Sequence, residues 1–296
     1  MTAQHPLVSV IIPTHDRQNL IEPAIRSVLH QTYENYELWI VDDASGDGTA
    51  DWIAQHYPQV QLIRLSENVG AAEARNVGIR AAKGTLIAFL DSDDHWAPNY
   101  LETQVRSLLD NPDASFVFCN HRETLSNGTI KQYVYRPRQQ YQDLVHRSLA
   151  DVFIYTMSVV VVRKSALDEC GLLDKRLIIC HDRELYVRLL QVGEMAHVRD
   201  FLVTRVMHEQ NISTDYQRWA KYVFLMLDIF FSNSHNQTYK HLEPTIRSAW
   251  AMIIARHIWR TEKSLWSSSV MVLRAVSAAP KLMFSKLQKK VIWQFS

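Results

Sequence analysis

Glycine is scarce, with eight in 296 residues, and no G-x-G-x-x-G run occurs. Gly46 and Gly48 have no third glycine at the required spacing, which argues against a dinucleotide-dependent oxidoreductase. Cysteine is scarcer still. Cys119, Cys170 and Cys180 are an odd number without C-x-x-C spacing, so a disulfide framework and a structural zinc site are both disfavoured, and a reducing compartment fits. No stretch reaches ~18 uninterrupted apolar residues, so no transmembrane helix is expected. The N-terminal MTAQHPLVSVIIPTHD has neither a basic start nor a long apolar run, and no signal peptide is expected there. Charge of one sign is also missing. With 32 Lys+Arg against 31 Asp+Glu, the chain lacks the cationic excess on which nucleic-acid affinity rests.

What is present is a globular composition, 47% hydrophobic and 21% charged, long enough for one large or two modest domains. The first hundred residues alternate between short, wholly apolar runs and helical patterns. Residues 7–12, 36–41, 60–65 and 85–90 read as buried strands. Residues 19–33, with apolar positions at helical spacing, 47–56, with Asp47 as its cap, and 71–83, stopped by Gly84, read as helices. Strands buried on both faces and separated by helices predict a parallel sheet covered by helices, an α/β fold. Further on, 98–109 and 182–190 read as helices and 115–119, 158–162 and 196–207 as strands, with a hairpin turn at Asn127-Gly128. From about residue 213 the pattern is helical.

Sheets of this kind bind ligands beyond the carboxyl ends of their strands. Three polar clusters fall there: Pro13–Asp16, Asp42–Thr49 and Asp91–Asp94, which predicts one shared site. In Asp91-Ser92-Asp93, two carboxylates one residue apart can share Mg²⁺ or Mn²⁺, cations that take their remaining ligands from water and substrate phosphates. The bland alternative is a polar turn capping the next helix. Asp42-Asp43 offers acceptors for a nucleobase N–H or a ribose hydroxyl, against capping of the Ser45–Thr49 turn. Both roles are open, for different members of the pair. Arg75 could fork onto a nucleotide phosphate or base, or be an ordinary surface arginine.

VSVIIPTHDR, LWIVDDASGDGT, NVGAAEARNVGIRAAKG and LIAFLDSDDHW, in this order and spacing, resemble glycosyltransferase family 2, closely over residues 7–100 and more loosely to about 213. The resemblance implies a GT-A fold, with a Rossmann-like, mostly parallel sheet flanked by helices. It implies a catalytic domain over 1–213, a nucleotide-binding half at 1–100 and an acceptor-binding half at 101–213, followed by a helical region at 214–296. It places Pro13, Thr14, Asp42, Asp43, Arg75, Asp91 and Ser92 around the donor, and assigns Mn²⁺ or Mg²⁺ to Asp91 and Asp93, with His208 of the segment MHEQNIS joining the metal or the diphosphate. His95-Trp96 is a candidate aromatic wall, Trp96 equally a core residue.

Similar inverting enzymes carry a Glu-Asp pair opening a helix, followed by an arginine. The matching stretch here, Cys180–Arg188, has His181 in place of the Glu and Asp182 at the position of the catalytic base, with Glu184 competing for that role. The implied reaction moves a sugar, from a UDP-sugar donor foremost, to a saccharide or lipid-linked acceptor in cell-surface polysaccharide synthesis. A nucleotidyltransferase on a related fold and a non-catalytic, sugar-nucleotide-binding scaffold are the rivals. After residue 262 come six basic residues and no acidic one, interleaved with Trp266, Phe284, Trp293 and Phe295. That pattern makes 263–296 a candidate surface for anionic membrane, or else a helical cap with solvated lysines. The expected location is the cytoplasm, peripheral on the inner face of the membrane.

Overall fold

The computed structural model describes residues 5–136, 141, 143–207, 216–262, 269–273 and 277. The chain divides into two compact units, one formed by residues up to 139 with 152–211, the other by 140–151 with everything from 212 on.

The first unit is built on a single sheet of nine strands among the described residues. Its opening half alternates as the apolar runs predict. β1 (Val8–Thr14), buried along its whole length, is followed by α1 (Ile21–Leu29), β2 (Tyr36–Asp42), α2 (Thr49–His56), β3 (Gln61–Arg64), α3 (Ala71–Ala81) and β4 (Leu86–Phe89). These four strands lie in the order β3-β2-β1-β4, all pairings parallel. The chain builds outward from β1 first to one side and then to the other, which is the switch point where open α/β sheets leave a crevice. α1 buries Ile21, Ala24, Ile25 and Val28, a stripe at the 3.6-residue period. α3 sits close on the sheet because Gly78 faces Ile11, where a Cβ would come within 2.6 Å of Ile11 Cγ2.

Two local expectations shift by a residue or two. Gly48, with φ +90°, stands at the N-terminal cap position of α2, while Asp47 one residue earlier accepts from the Thr49 N–H at 2.9 Å and the Gln18 N–H at 3.1 Å. α3 ends at Ala81, before Gly84. Gly84 instead lets the chain pass against β1, since a Cβ there would lie 2.6 Å from the Leu7 carbonyl oxygen and 2.7 Å from the Ser9 nitrogen.

The second half of this unit adds β5 (His95–Trp96), α4 (Tyr100–Asp110), β6 (Ala114–Thr124), β7 (Ile130–Tyr133), β8 (Val160–Arg163), α6 (Lys164–Cys170), α7 (His181–Val192) and β9 (Glu194–Val206). Here the sheet becomes mixed: β8 runs antiparallel to both β4 and β6, β5 antiparallel to β9, and β9 parallel to β6. β6 and β7 form the hairpin expected at Asn127-Gly128, with Gly128 at φ +79° and the Asn127 side chain accepting from the Thr129 N–H.

The second unit is helical, with α5 (Leu144–Ala150), α8 (Tyr216–Ser232) and α9 (Glu243–Glu262). Trp250 anchors it, fully buried, its indole N–H donating to the Leu149 carbonyl at 2.6 Å and its ring edge-on to Trp219. Among the described residues no helix is long and apolar enough to cross a membrane. The basic segment 263–296 lies outside the described residues except for 269–273 and 277.

Candidate active site

The ends of β1 and β2 are laced together by their own loops. Thr14 and Asp42 are in register on adjacent strands. Beyond them the Asp43 N–H donates to the Thr14 carbonyl at 2.8 Å, His15 Nδ1 lies 2.7 Å from the Asp43 carbonyl, and Asp16 accepts from the Gly46 N–H at 2.8 Å. The two members of the Asp42-Asp43 pair take different roles, as residues of opposite orientation on a strand end must. Asp42 Oδ1 accepts from the Ser45 N–H at 3.0 Å, a turn-forming contact, while its Oδ2 is buried without a partner. Asp43 reaches across the crevice instead and accepts from the Val69 and Gly70 N–H groups at 2.7 and 2.8 Å. Gly70 holds φ +85°, a left-handed value that favours glycine there.

Asp91, at the end of β4, is the centre of the site. The buried Arg75 guanidinium from α3 pairs with one carboxylate oxygen, and Thr156 Oγ1 donates to the other at 3.0 Å. The Asp91 N–H donates to Ser158 Oγ at 3.0 Å. Burial opposes the charge of Asp91, but the Arg75 cation and these hydrogen bonds outweigh it and keep its pKa below the ordinary value. Asp94 turns inward, accepting from Ser158 Oγ at 2.6 Å and the Val206 N–H at 3.3 Å. Its pKa is pushed well up, first by burial and then by the negative charges of Asp91 and Asp93. Asp93 remains partly exposed and Ser92 is buried. Trp96 is core: its indole donates to the Ser158 carbonyl at 2.7 Å and its ring stacks on Tyr100 at 4.0 Å.

Arg75 also carries the link to α7. Its Nη1 lies 3.1 Å from His181 Nε2, and His181 Nδ1 lies 3.2 Å from the Leu177 carbonyl. A proton on Nδ1 satisfies that carbonyl and leaves Nε2 to accept from the guanidinium. Burial, then the Arg75 charge, lowers the His181 pKa, so the neutral ring is favoured. The Glu-to-His departure thus keeps an acceptor for Arg75 and loses a negative charge.

Asp182 stands in the first turn of α7, half-buried, and its carboxylate accepts no hydrogen bond among the described residues. Glu184 is in the opposite situation. It is buried and clasped by Arg188 at 2.7 and 2.6 Å, and that same arginine donates to the carbonyls of Cys170, Gly171 and Leu172. Glu184 is committed to holding α7 in place.

Backbone strain marks the same neighbourhood. Among the described residues the non-glycine positions with positive φ are Asp16, Ala44 and Cys180, one after β1, one after β2 and one opening α7. Such strain is found where surrounding structure over-determines a loop, and functional sites are the usual place.

Pro13, Thr14, Asp42, Asp43, Asp91, Ser92, Asp93 and Asp182 lie on loops and at element ends, and Arg75 lies within α3. His208 lies outside the described residues. Among those described, no group of three or more His, Cys, Asp or Glu is arranged to hold a metal. The sequence reading missed Thr156 and Ser158, which bind Asp91 and Asp94 from a segment more than sixty residues away. A T-x-S before an apolar strand carries no signal by itself.

The chain belongs to glycosyltransferase family 2: the sequence profile described as Glycosyl transferase family 2 matches residues 9–171. TuaG of Bacillus subtilis, named for teichuronic acid biosynthesis, is 35% identical over 169 residues, 55% of this chain and 65% of that protein. The Escherichia coli UDP-Glc:alpha-D-GlcNAc-diphosphoundecaprenol beta-1,3-glucosyltransferase WfgD is 37% identical over 140 residues, 47% of this chain and 55% of that one. The chain thus spans less than two thirds of the length of the first curated relatives it matches. Among solved structures, residues 1–349 of Staphylococcus aureus TarS in complex with UDP-GlcNAc superpose with a TM-score of 0.65 at 17% identity, over 91% of this chain and 79% of that one. That likeness shows the fold, which is GT-A.

Proposed function

We propose that this protein is an inverting glycosyltransferase that moves a sugar from a nucleotide-sugar, a UDP-sugar, to a saccharide or lipid-linked acceptor in cell-surface polysaccharide synthesis. The observation that carries the reading is the bridge Asp91–Arg75–His181. It ties the end of the Asp91-Ser92-Asp93 strand to the helix whose next residue is Asp182, a half-buried carboxylate that accepts no hydrogen bond among the described residues. The relatives support the substrate class: TuaG and WfgD are named for surface-polymer chemistry, and WfgD for a UDP-glucose donor and a diphosphoundecaprenol acceptor.

The crevice at the ends of β1, β2 and β4 would take the nucleoside, with Pro13, Thr14, Asp42, Asp43 and Ser92 along its wall. Asp93 and Asp91 suit a hard divalent cation. Their oxygens are the donors Mg²⁺ and Mn²⁺ prefer. Arg75 already pairs with Asp91, so Asp93 would be the direct ligand. When bound, the ion would neutralise charge developing on the leaving diphosphate. Asp182 would accept the proton of an acceptor hydroxyl while that oxygen forms its bond to the anomeric carbon and the bond to the diphosphate breaks. General-base help of this kind is worth ~10²–10⁴-fold. The basic, aromatic segment 263–296 would hold the enzyme against anionic lipid on the cytoplasmic face. Absence of co-sedimentation with anionic liposomes at low salt would remove that part of the reading.

The test of the reading is thermal unfolding with a panel of nucleoside diphosphates, with and without Mn²⁺. A ligand at ~100 times its Kd stabilises by ~2.7 kcal/mol. The expected result is a shift with UDP that depends on Mn²⁺ and is lost in Asp93→Ala. No shift with any diphosphate would count against the nucleotide-sugar reading, for a transferase and a sugar-nucleotide-binding scaffold alike.

A further inference from the structure

α3 grips the segment before α7 from two neighbouring positions. Successive residues of a helix point about 100° apart, so Arg75 and Asn76 can hold different pieces of chain. Arg75 takes Asp91 and His181 Nε2. Asn76, buried, takes Leu173, ninety-seven positions later. Its Nδ2 donates to the Leu173 carbonyl at 2.9 Å, and its Oδ1 accepts from the Leu173 N–H at 3.0 Å. One side chain thus satisfies both backbone groups of one buried residue. Asn76 Nδ2 also donates to Glu73 Oε2 at 3.0 Å, a contact that only the nitrogen can make with a carboxylate, so the amide has one orientation.

The Leu173 contact leads on to His181. Asp174 Oδ1 accepts from the Arg176 N–H at 2.9 Å, and the Leu177 N–H donates to the Asp174 carbonyl at 3.0 Å, which closes a local turn. The carbonyl at the end of that turn, that of Leu177, lies 3.2 Å from His181 Nδ1. The imidazole is therefore held at one nitrogen by Arg75 and at the other by a turn that starts beside Asn76. Cys180, between this turn and α7, has φ +68°, a strained value that persists only where its surroundings fix it. Arg188 grips the carbonyls of Cys170, Gly171 and Leu172 from α7 itself. Asn76 ties the next residue of the same stretch to α3.

We infer that Asn76 is a positioning residue for α7: its two bonds to Leu173 set the turn whose Leu177 carbonyl holds His181 in one tautomer, and so set where the helix carrying Asp182 begins. The role of Asp182 rests on the transferase reading, which this deepens by adding a support for the base. The competing anchor is apolar, the burial of the Leu173 and Leu177 side chains, which would hold the turn with or without the amide.

The experiment is long-range ¹H–¹⁵N NMR of the full chain labelled at histidine, with the His181 signals identified by their loss in His181→Gln. Wild type is expected to show His181 as the single Nδ1–H tautomer, without titration across the ordinary histidine range near pH ~6.5. Asn76→Ala should lose that signature, giving a mixed, titrating ring. Asn76→Asp, which keeps an acceptor for the Leu173 N–H and loses the donor to its carbonyl, should lose it in part, and serves if the alanine variant does not fold. Glu184→Gln is the control: its side-chain oxygen still accepts from Arg188, so it should keep the single tautomer even where its Tm falls. A single, non-titrating tautomer in folded Asn76→Ala or Asn76→Asp overturns the inference in favour of apolar anchoring. Equal loss in Glu184→Gln also overturns it, since the signature would then follow stability alone. A mixed tautomer in wild type overturns it at the outset. The transferase reading is tested separately by the nucleoside diphosphate panel: without a shift there, the NMR signature still decides the clamp, and only the role given to Asp182 falls.

Discussion

The two sides of the candidate site are held together in different ways. On the proposed donor side, β1, β2 and β4 end in loops whose polar groups satisfy one another over short sequence distances or across adjacent strands. Asp42 caps its own turn, and Asp43 and Arg75 reach backbone and carboxylate partners on the neighbouring element. On the proposed acceptor side, the contacts join residues roughly sixty to more than one hundred positions apart. Thr156 and Ser158 meet Asp91 and Asp94, Arg205 meets Glu123, and His181 meets Arg75. The donor side is an arrangement that a parallel sheet makes almost automatically at its carboxyl edge. The acceptor side exists only because antiparallel β8 and the long, bulged β6–β9 pair fold back beside that edge. A chemistry shared by a family can be written in the first kind of contact, and the particular acceptor in the second.

This contrast can be broken or sharpened by substitution. The largest effect is expected from Asp182→Asn: transfer should fall by ~10²–10⁴-fold in a kinetic assay while UDP binding stays intact. Glu184→Gln, next to it but clasped by Arg188, should show the reverse, a loss of thermal stability with the residual rate per folded molecule retained. A mutant pair with these behaviours exchanged would reassign the base.

Arg75→Met should come next. It leaves Asp91 partly buried with only Thr156 to hold it and unties His181, and removing one partner of such a pair costs about 3 kcal/mol. The midpoint of urea unfolding should drop accordingly, and adding Asp91→Asn should recover part of the loss. No drop would mean the bridge between the two sides carries no energy.

Gly84→Ala, at the far end of the same sheet, should cost about 2 kcal/mol because its Cβ would press on backbone atoms of β1 that cannot swing aside. It should leave the nucleotide-induced stabilisation unchanged, since no site loop is touched.

A further effect concerns pH, through His121 on β6. Burial, with the Arg205 charge added, pushes the pKa of His121 down to about 4, while an unfolded histidine titrates near ~6.5. Between those values the unfolded chain binds a proton that the folded chain refuses. Stability therefore falls as pH drops through that window, by up to roughly 1.4 kcal/mol per pH unit from this group. His121→Phe should flatten the dependence of Tm on pH there. An unchanged curve would show that burial and the Arg205 charge do not hold the ring neutral.

Particular residues show how legible the site was. The placement of Asp43 and Asp91 could be read because each sits one or two residues past an apolar run, and the strand's end fixes where such a residue must be; Arg75 is different, a residue inside α3. The split of roles within Asp42-Asp43 was also readable in kind, since a turn of the form Asp-x-x-Ser wants its own carboxylate. Glu184 and Asp182 could not be separated, because both lie in the first two turns of one helix. Only the packing of Arg188 against three carbonyls shows that Glu184 is occupied. Gly84 was read as a helix stop, since a lone glycine after an alanine-rich helix has that meaning locally. Its contact with β1 depends on a strand seventy-five residues earlier.

The sequence by itself determined the alternating α/β order, the parallel first half of the sheet, the carboxylates at its edge and the membership of glycosyltransferase family 2, because all of these are set by short-range periodicity and by motifs within single strand–loop units. Tertiary structure alone decided that the sheet turns antiparallel beyond β4, that Asp91 is held by Arg75 and Thr156 with Asp94 turned inward, and that neutral His181 ties the helix carrying Asp182 to Arg75. Those features are pairings between distant segments. Their free energy comes from burial and hydrogen bonding that no local window of the chain contains.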